Sequence, residues 1–204
     1  MSLLPNNHKD PDIPKGNKMV DEPVDHLQLW GEFRKGSEAA FIEIYNQYFQ
    51  VLYDYSFRLT SNRPLCKDCI QELFYKLRKN RSALPSVQSP KAFLIKSIRN
   101  QLLNEIKKSK RSASLNEASV NQPFLVTPSH ETVIIARQFS QSQLRRISWA
   151  IAKLTAHQRE AIHFFFYEEL GYAEIADIMG MTSTRAARNL IYRSLKAVRL
   201  SLDK

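Results

Sequence analysis

The segment 184–199 carries the side chains whose types and spacing most clearly suggest chemistry. It follows a short, almost uncharged stretch, GYAEIADIMG (171–180), after a turn of a few residues. At helical spacing, four apolar residues are expected to face inward, and these are Leu190, Ile191, Leu195 and Val198. The remaining faces carry Arg185, Arg188, Asn189, Tyr192, Arg193, Lys196 and Arg199. Such side chains can reach base edges and phosphates from within a major groove, so the pattern indicates DNA binding.

The turn before this segment has the residues that a helix-turn-helix needs. Gly180 can adopt the left-handed conformation that ends a helix, and Thr182 or Thr184 can cap the next one. A helical hairpin with solvated arginines would show the same local pattern. The net charge of +10 over 204 residues favours an anionic partner, and nucleic acid is the first candidate.

A second basic segment runs from Lys91 to Arg111, where seven Lys or Arg residues accompany one acid, Glu105. Lys96, Asn100, Leu103 and Lys107 are predicted to share a helix face. By its charge alone this face would bind an anionic partner, and a merely solvated face is the alternative. Phe93 is the one aromatic residue between positions 82 and 111, so it is the one side chain there that could stack on a base or wedge between bases, and its place in the first turn is equally consistent with a core position.

The residues that could support catalysis or metal binding do not form a convincing set. Cys66 and Cys69 have no second cysteine pair, and their helical spacing with apolar neighbours predicts core or helix-surface positions. His157 and His163 lie six residues apart, off the spacing of a shared ligand site. Tyr192 has no carboxylate or histidine cluster around it. We therefore predict no catalytic residue, no metal site, no cofactor and no enzymatic activity.

The second basic segment and the elements that position it are predicted to be helices. Apolar residues recur at three- and four-residue steps from Phe41 to Leu59, and a second helix is predicted over 65–79. A third begins in SPKAF, where Ser89 can cap and Pro90 can occupy the first turn, and it continues to about Lys110. Residues 1–25 contain four prolines among polar residues and are predicted to be a flexible tail.

The composition changes after the third helix. Residues 112–143 are rich in serine and are predicted to form a flexible linker, which light proteolysis should cut in the absence of a partner. Beyond it, a second helical domain is predicted, with Thr155 and Gln158 as a capping box. The fold class is therefore all-α, with two small helical domains. No signal peptide or membrane span is apparent, which predicts a cytoplasmic protein.

Two long stretches resemble the bacterial RNA polymerase sigma factors. LTAHQREAIHFFFYEELGYAEIADIMGMT and RNLIYRSLKAVR are similar to the promoter-binding C-terminal domain of that family. FIEIYNQYFQVLYDYSFRLT, KDCIQELFYKLRKNR and SPKAFLIKSIRNQLLNEIKKSKR are similar to its N-terminal domain. Two short domains joined by a linker are typical of the extracytoplasmic-function group. The resemblance covers about 27–202 and implies a factor that directs promoter-specific transcription initiation.

The resemblance also implies a role for each part of the chain. Domain 26–111 would bind core polymerase and the minus-ten element, and domain 144–204 would bind the minus-thirty-five element. Core polymerase would contact Asp68, Gln71, Glu72, Lys76 and Lys79. The minus-ten element would contact Lys91, Lys96, Arg99, Asn100, Asn104, Lys107, Lys108, Lys110 and Arg111. The minus-thirty-five element would contact Thr184, Arg185, Arg188, Asn189, Tyr192, Arg193 and Lys196.

The implied partners are core polymerase, promoter DNA and an anti-sigma protein, whether soluble or membrane-bound, with no small-molecule substrate. Two positions depart from the family pattern. Asn104 stands where many members carry Asp, and the turn before Thr184 is one residue longer than usual, which leaves the register from Thr184 to Arg188 open. A one-component helix-turn-helix repressor or activator is the alternative, but its first domain would offer a ligand pocket or a dimerising helix rather than a basic one.

Overall fold

The computed structural model describes residues 25–112, 124 and 141–202, and of residues 110–112, 141, 142 and 144 it describes only the backbone. Within these ranges the chain forms eight α-helices, one short 3-10 turn and no strand, which confirms the all-α prediction. The first four helices are α1 (His26–Arg34), α2 (Glu38–Thr60), α3 (Arg63–Lys79) and α4 (Pro90–Ser112). The other four are α5 (Gln141–Ala152), α6 (Ala156–Phe166), α7 (Tyr172–Ile178) and α8 (Thr184–Leu202).

Side-chain caps define where several helices begin. The Ser89 hydroxyl accepts a hydrogen bond from the Ala92 amide at 3.2 Å, as predicted for the start of α4. The predicted capping box of α6 is also present, with Thr155 and Gln158 bonded to each other's backbone amides at 3.2 and 2.9 Å. Because these bonds are local, they could be predicted from neighbouring residues alone.

The first domain is built around α2, which packs against α1, α3 and α4. Leu52 of its apolar stripe is fully buried, and so are Ile70 of α3 and Leu94 and Ile98 of α4. Burial of each such side chain stabilises the fold by about 1.5–3 kcal/mol relative to exposure. The inward stripe of α4 therefore determines which of its other side chains remain at the surface.

The second domain is arranged around α8, which packs against α5, α6 and α7. Phe164, Ile175, Ala187 and Ile191 are buried between these helices. Gly180 has φ +65°, the left-handed conformation predicted for the end of the helix before the turn. Helix α7, the turn and α8 thus form the predicted helix-turn-helix.

The two domains pack directly on each other, which no local pattern predicts. Helix α4 contacts α7, and the ring of Tyr55 on α2 lies 5.3 Å from that of Phe164 on α6. Phe124, a residue of the predicted linker, is buried between them, with its ring centroid 6.0 Å from Tyr55 and 5.4 Å from His163. The domains therefore share one apolar core.

The predicted tail and linker lie mostly outside the described residues. Of the tail 1–25 the structure describes Asp25, which caps α1. Of the linker 112–143 it describes the end of α4, Phe124 and the first residues of α5. The prediction that proteolysis cuts this linker falls on residues outside that description.

Candidate nucleic-acid interface

Helix α8 separates an inward face from an outward one. Ala187, Ile191 and Ser194 are buried against the rest of the second domain. All seven residues predicted to contact the minus-thirty-five element are exposed, and these are Thr184, Arg185, Arg188, Asn189, Tyr192, Arg193 and Lys196. The structure thus brings the predicted donors together on the exposed side of one helix.

One inward prediction for α8 was wrong. Leu195 is 41% exposed, whereas Ser194 is fully buried and its hydroxyl donates to the Leu190 carbonyl at 2.7 Å. The buried residues follow positions 187, 191 and 194, and Leu195 lies about 100° further around the helix than Ser194. Because the serine hydroxyl makes its hydrogen bond within the helix, it needs no partner in the domain core, and a serine can occupy the inward position.

The predicted cap of α8 was also wrong. Neither Thr182 nor Thr184 caps the helix, because the Ser183 hydroxyl accepts the hydrogen bond from the Ala186 amide at 3.2 Å. Thr184 is therefore the first helical residue and Arg185 the second. This cap shows where α8 begins.

Arg188 has a neighbour on the preceding helix. Its guanidinium carbon lies 5.4 Å from the centre of the Tyr172 ring, at the start of α7. A cation over an aromatic face is attracted by about 0.5–1 kcal/mol at an exposed site. This contact holds the arginine at the junction of α7 and α8 and limits the rotamers it samples before binding.

Helix α4 presents the predicted minus-ten residues in two groups. Asn100, Asn104, Lys107 and Lys108 are exposed. Asn104 and Lys107 line an open groove together with Glu72 and Lys76 of α3. Residues predicted to contact the minus-ten element therefore lie beside residues predicted to contact core polymerase. The side chains of Lys110 and Arg111 lie outside the described residues.

The second group on α4 is bonded to the second domain. Arg99 donates to both carboxylate oxygens of Glu160 at 2.9 and 3.2 Å. Lys91 and Lys96 each contact an acid of that domain, at 2.9 Å for Glu168 and 2.5 Å for Asp177. Three side chains predicted to bind DNA are therefore paired with carboxylates of the second domain.

Burial and bonding shift the ionisation of two of these groups. Burial opposes the charged form of Arg99, but the bonds to Glu160 outweigh it and raise the pKa of the guanidinium. Burial likewise opposes the charged form of Glu168, yet contacts with His163 and Lys91 lower its pKa. Both groups are thus held in their charged forms at neutral pH.

The predicted polymerase-docking face of α3 is exposed along its length. Asp68, Gln71, Glu72, Lys76 and Lys79 all lie at the surface. Glu72 accepts from Lys76 and from Gln101 of α4, both at 2.6 Å, and the bond from Lys76 is the main cause of its lowered pKa.

Sequence reasoning overlooked Tyr75 on this face. Its side chain is 65% exposed, and the Lys79 ammonium lies 6.0 Å from the centre of its ring. Its spacing of four residues from Gln71 and from Lys79 was the signal that could have identified it.

Cys66 and Cys69 are buried free thiols, so of the two predicted positions, core or helix surface, both occupy the core. Burial raises the pKa of Cys69 to about 11. Among the described residues, no group of three or more His, Cys, Asp or Glu side chains could hold a metal ion. Nor does that part of the chain contain a helix long and apolar enough to cross a membrane.

Two family models match separate parts of the chain. Residues 44–112 match the model for sigma-70 region 2, which covers most of α2 together with α3 and α4. Residues 144–198 match the model for sigma-70, region 4, which covers α5 to α8. The fold, the helix-turn-helix and these two matches in order define a promoter-recognition factor, and the chain belongs to the sigma-70 family of RNA polymerase sigma factors.

Curated relatives place the chain in the extracytoplasmic-function group of that family. The chain is 26% identical to ECF RNA polymerase sigma factor SigL of Mycobacterium tuberculosis strain H37Rv, over 82% of this chain and 92% of SigL. It is 21% identical to ECF RNA polymerase sigma factor SigM of Bacillus subtilis strain 168, over 74% of this chain and 88% of SigM. Factors of this group bind core polymerase and direct transcription initiation.

Two solved structures share the fold. One is the sigma factor RpoE in complex with the anti-sigma factor NepR from Bartonella quintana, with a TM-score of 0.59, 19% identity and coverage of 80% of this chain and 96% of that one. The other is CnrH in complex with the cytosolic domain of CnrY, with a TM-score of 0.55, 17% identity and coverage of 87% and 96%.

Proposed function

We propose that the two domains divide promoter recognition between them. Domain 26–111 binds core polymerase through α3 and the minus-ten element through α4, and domain 144–204 binds the minus-thirty-five element through α8. The observation that carries this proposal is the exposed donor row of α8, which lies opposite the buried residues Ala187, Ile191 and Ser194. A helix of 19 residues is about 28 Å long, so its first turns can enter a major groove while the rest follows the backbone.

Helical geometry assigns different roles to the residues of α8. Arg185, Asn189, Tyr192 and Lys196 form a stripe opposite the buried face, at steps of three and four residues. Arg188 and Arg193 flank this stripe on opposite sides, about 140° apart. One of them is therefore placed to read a guanine and the other to hold a phosphate, and Thr184 at the first helical position adds a phosphate contact.

The α4 face suits a melted strand. The amides of Asn100 and Asn104 can pair with exposed base edges, and Lys107 and Lys108 can hold the phosphates beside them. Lys91, Lys96 and Arg99 extend this surface once they are released from the second domain. We assign Lys110 and Arg111 to the same surface from their place in the final turn of α4.

The α3 face is proposed as the docking site for core polymerase. Asp68, Gln71, Glu72, Lys76 and Lys79 can contact a partner without disturbing the buried Leu73 and Phe74. We add Tyr75 to this surface, since an exposed aromatic ring among charged residues is a common anchor of protein interfaces.

Regulation is proposed to involve an anti-sigma protein. One of the two solved structures is a sigma factor, RpoE, in complex with the anti-sigma factor NepR, and the other is CnrH in complex with the cytosolic domain of CnrY. We infer that this chain has such a partner, that it acts in the cytoplasm and that it works by binding, without catalysis of its own.

Transcription reconstituted with sigma-free core polymerase tests this function. Adding the full chain should produce discrete run-off transcripts from genomic promoters, and a variant with both Arg188→Ala and Arg193→Ala should lose them while it still binds core. A matched control with Lys153→Ala, which removes an exposed cation outside α8, should keep them. Absence of specific transcripts with the wild-type chain, or repression instead of initiation, would refute the proposal.

A further inference from the structure

A column of side chains runs from Arg188 of α8 across the start of α7 to the end of α6. The Arg188 guanidinium carbon lies 5.4 Å from the centre of the Tyr172 ring, which is half-buried. The Tyr172 ring stacks on that of Phe165, with centroids 5.1 Å apart and the ring planes at 17°. Phe166 packs edge-on against Phe165, at 5.0 Å and 84°. Residues of α6, α7 and α8 therefore place one aromatic ring beside one arginine.

The backbone that carries the Tyr172 ring is also held in place. The Glu174 carboxylate accepts a hydrogen bond from the Gly171 amide at 2.7 Å and so stabilises the first turn of α7. Tyr172 is the first residue of that helix. Because both the backbone and the stacked neighbour are fixed, the ring has few rotamers available. Its attraction for a cation therefore acts at one place and favours one orientation of the Arg188 side chain.

The position of Arg188 along α8 suits contact with a base. Arg188 is the fifth residue of the helix and lies in its second turn, whereas Arg193 is the tenth and lies in the third. In a helix-turn-helix, the residues near the start of the second helix are the ones that contact base edges. A guanidinium recognises guanine through two hydrogen bonds, to O6 and N7, which require a defined plane and direction. Fewer rotamers before binding mean that less entropy is lost when these two bonds form.

We propose that Tyr172 is a positioning residue for Arg188 and that Arg188 is the arginine that reads a guanine of the minus-thirty-five element. Tyr172 acts through the arginine, since its ring orients the guanidinium and Arg188 alone makes the two bonds to the base. Arg193, on the other side of the outward stripe, then holds a phosphate. This inference rests on the proposed function, because it needs α8 to lie in the major groove of the promoter.

Promoter selection by the holoenzyme tests the two roles. The full chain is combined with core polymerase and offered a library of promoter duplexes whose upstream element is randomised, and the bound duplexes are sequenced. The same selection is made with Arg188→Ala, with Tyr172→Leu and with the double variant that carries both changes. Tyr172→Phe is the matched control, because it keeps the ring and removes only the hydroxyl.

Arg188→Ala should reduce the preference for guanine at one position of the selected element by about 5- to 150-fold. Tyr172→Leu should reduce the preference at that same position by about two- to fivefold, the factor that corresponds to the attraction between a cation and an exposed ring. Tyr172→Phe should select as the wild type does. In the double variant, Tyr172→Leu should have no further effect, because the side chain through which Tyr172 acts is missing.

A merely structural role for Tyr172 would give a different pattern. Tyr172→Leu would then weaken selection at every position, and it would do so in the double variant as well, which would refute positioning. If Tyr172→Leu lowers the helical content, Tyr172→Met takes its place, because a flexible apolar side chain fills the space against Phe165 without a ring. If Tyr172→Phe binds all sequences more weakly, the hydroxyl holds a phosphate and the positioning role is likewise refuted.

The selection also separates this inference from the proposed function. A wild-type holoenzyme that enriches no upstream element refutes the proposed function and this inference with it. An enriched element that neither Tyr172→Leu nor Tyr172→Met alters refutes this inference alone. So does an element whose guanine preferences survive Arg188→Ala, since Arg188 would then hold a phosphate or lie off the DNA.

Discussion

The hydroxyl of Tyr55 offers a sharp test of how firmly the domains are joined. Tyr55→Phe removes one oxygen and leaves the ring in place against Phe124 and Phe164. Burial, reinforced by the Glu160 carboxylate, raises the pKa of Tyr55 well above its usual range, so the hydroxyl is a proton donor throughout the neutral range. The bond that is lost therefore joins a neutral donor to a charged acceptor.

The magnitude follows from the geometry of this bond. Tyr55 is fully buried and its oxygen lies 2.7 Å from Glu160, so water cannot replace it. Hydrogen bonds to charged groups contribute about 1.5–3 kcal/mol, and the lower end applies because Arg99 still satisfies the carboxylate. We expect Tyr55→Phe to lower the free energy of unfolding by about 1.5–2 kcal/mol.

Urea unfolding followed by circular dichroism measures this difference, with Tyr48→Phe as the matched control. The Tyr48 hydroxyl lies 3.0 Å from a ring nitrogen of His26 within the first domain, so its loss should cost about 0.5–1.5 kcal/mol. If Tyr55→Phe costs less than Tyr48→Phe, the bond to Glu160 is not formed in solution and the packing of the two domains seen in the structure is refuted.

Three further predictions concern the proposed binding faces. Arg188→Ala or Arg193→Ala should weaken binding to the minus-thirty-five element by about 1–3 kcal/mol if that arginine holds a guanine, measured by anisotropy with promoter duplexes. Glu72→Lys should abolish co-elution with core polymerase while helical content and promoter binding by α8 persist, because it reverses a charge on an exposed face. Ser183→Ala should lower the free energy of unfolding by about 0.5–2 kcal/mol through loss of the α8 cap, measured by urea unfolding.

Each of these predictions has a control within the chain. An arginine whose loss weakens binding equally for all DNA sequences holds a phosphate, and one whose loss has no effect lies off the DNA face. Glu43→Lys makes the same charge reversal on α2 and should preserve co-elution; co-elution of Glu72→Lys at wild-type strength would show that the docking face is elsewhere. Ser183→Thr should restore the cap, and a Ser183→Ala variant as stable as wild type would contradict the cap assignment.

The sequence by itself determined most of the helices and the character of their surfaces, although it did not predict α1 (His26–Arg34). Apolar residues at three- and four-residue steps define the inward stripes of α2, α3 and α4, and the capping box of Thr155 and Gln158 was predicted correctly. The donors of α8 could be identified because a helix places its polar side chains opposite its apolar ones. These features depend on residues within a few positions of one another, where sequence spacing translates directly into geometry.

Only the tertiary structure decided which of those surfaces are available. Tyr55 and Glu160 lie 105 residues apart, and no local spacing predicts that they form a hydrogen bond. The same holds for Arg99, whose charge predicts an anionic partner but does not tell a phosphate from a carboxylate of the same chain. The choice depends on how the apolar faces around Phe124 and Phe164 pack together, which is a property of the whole chain because burial requires surfaces from both domains at once.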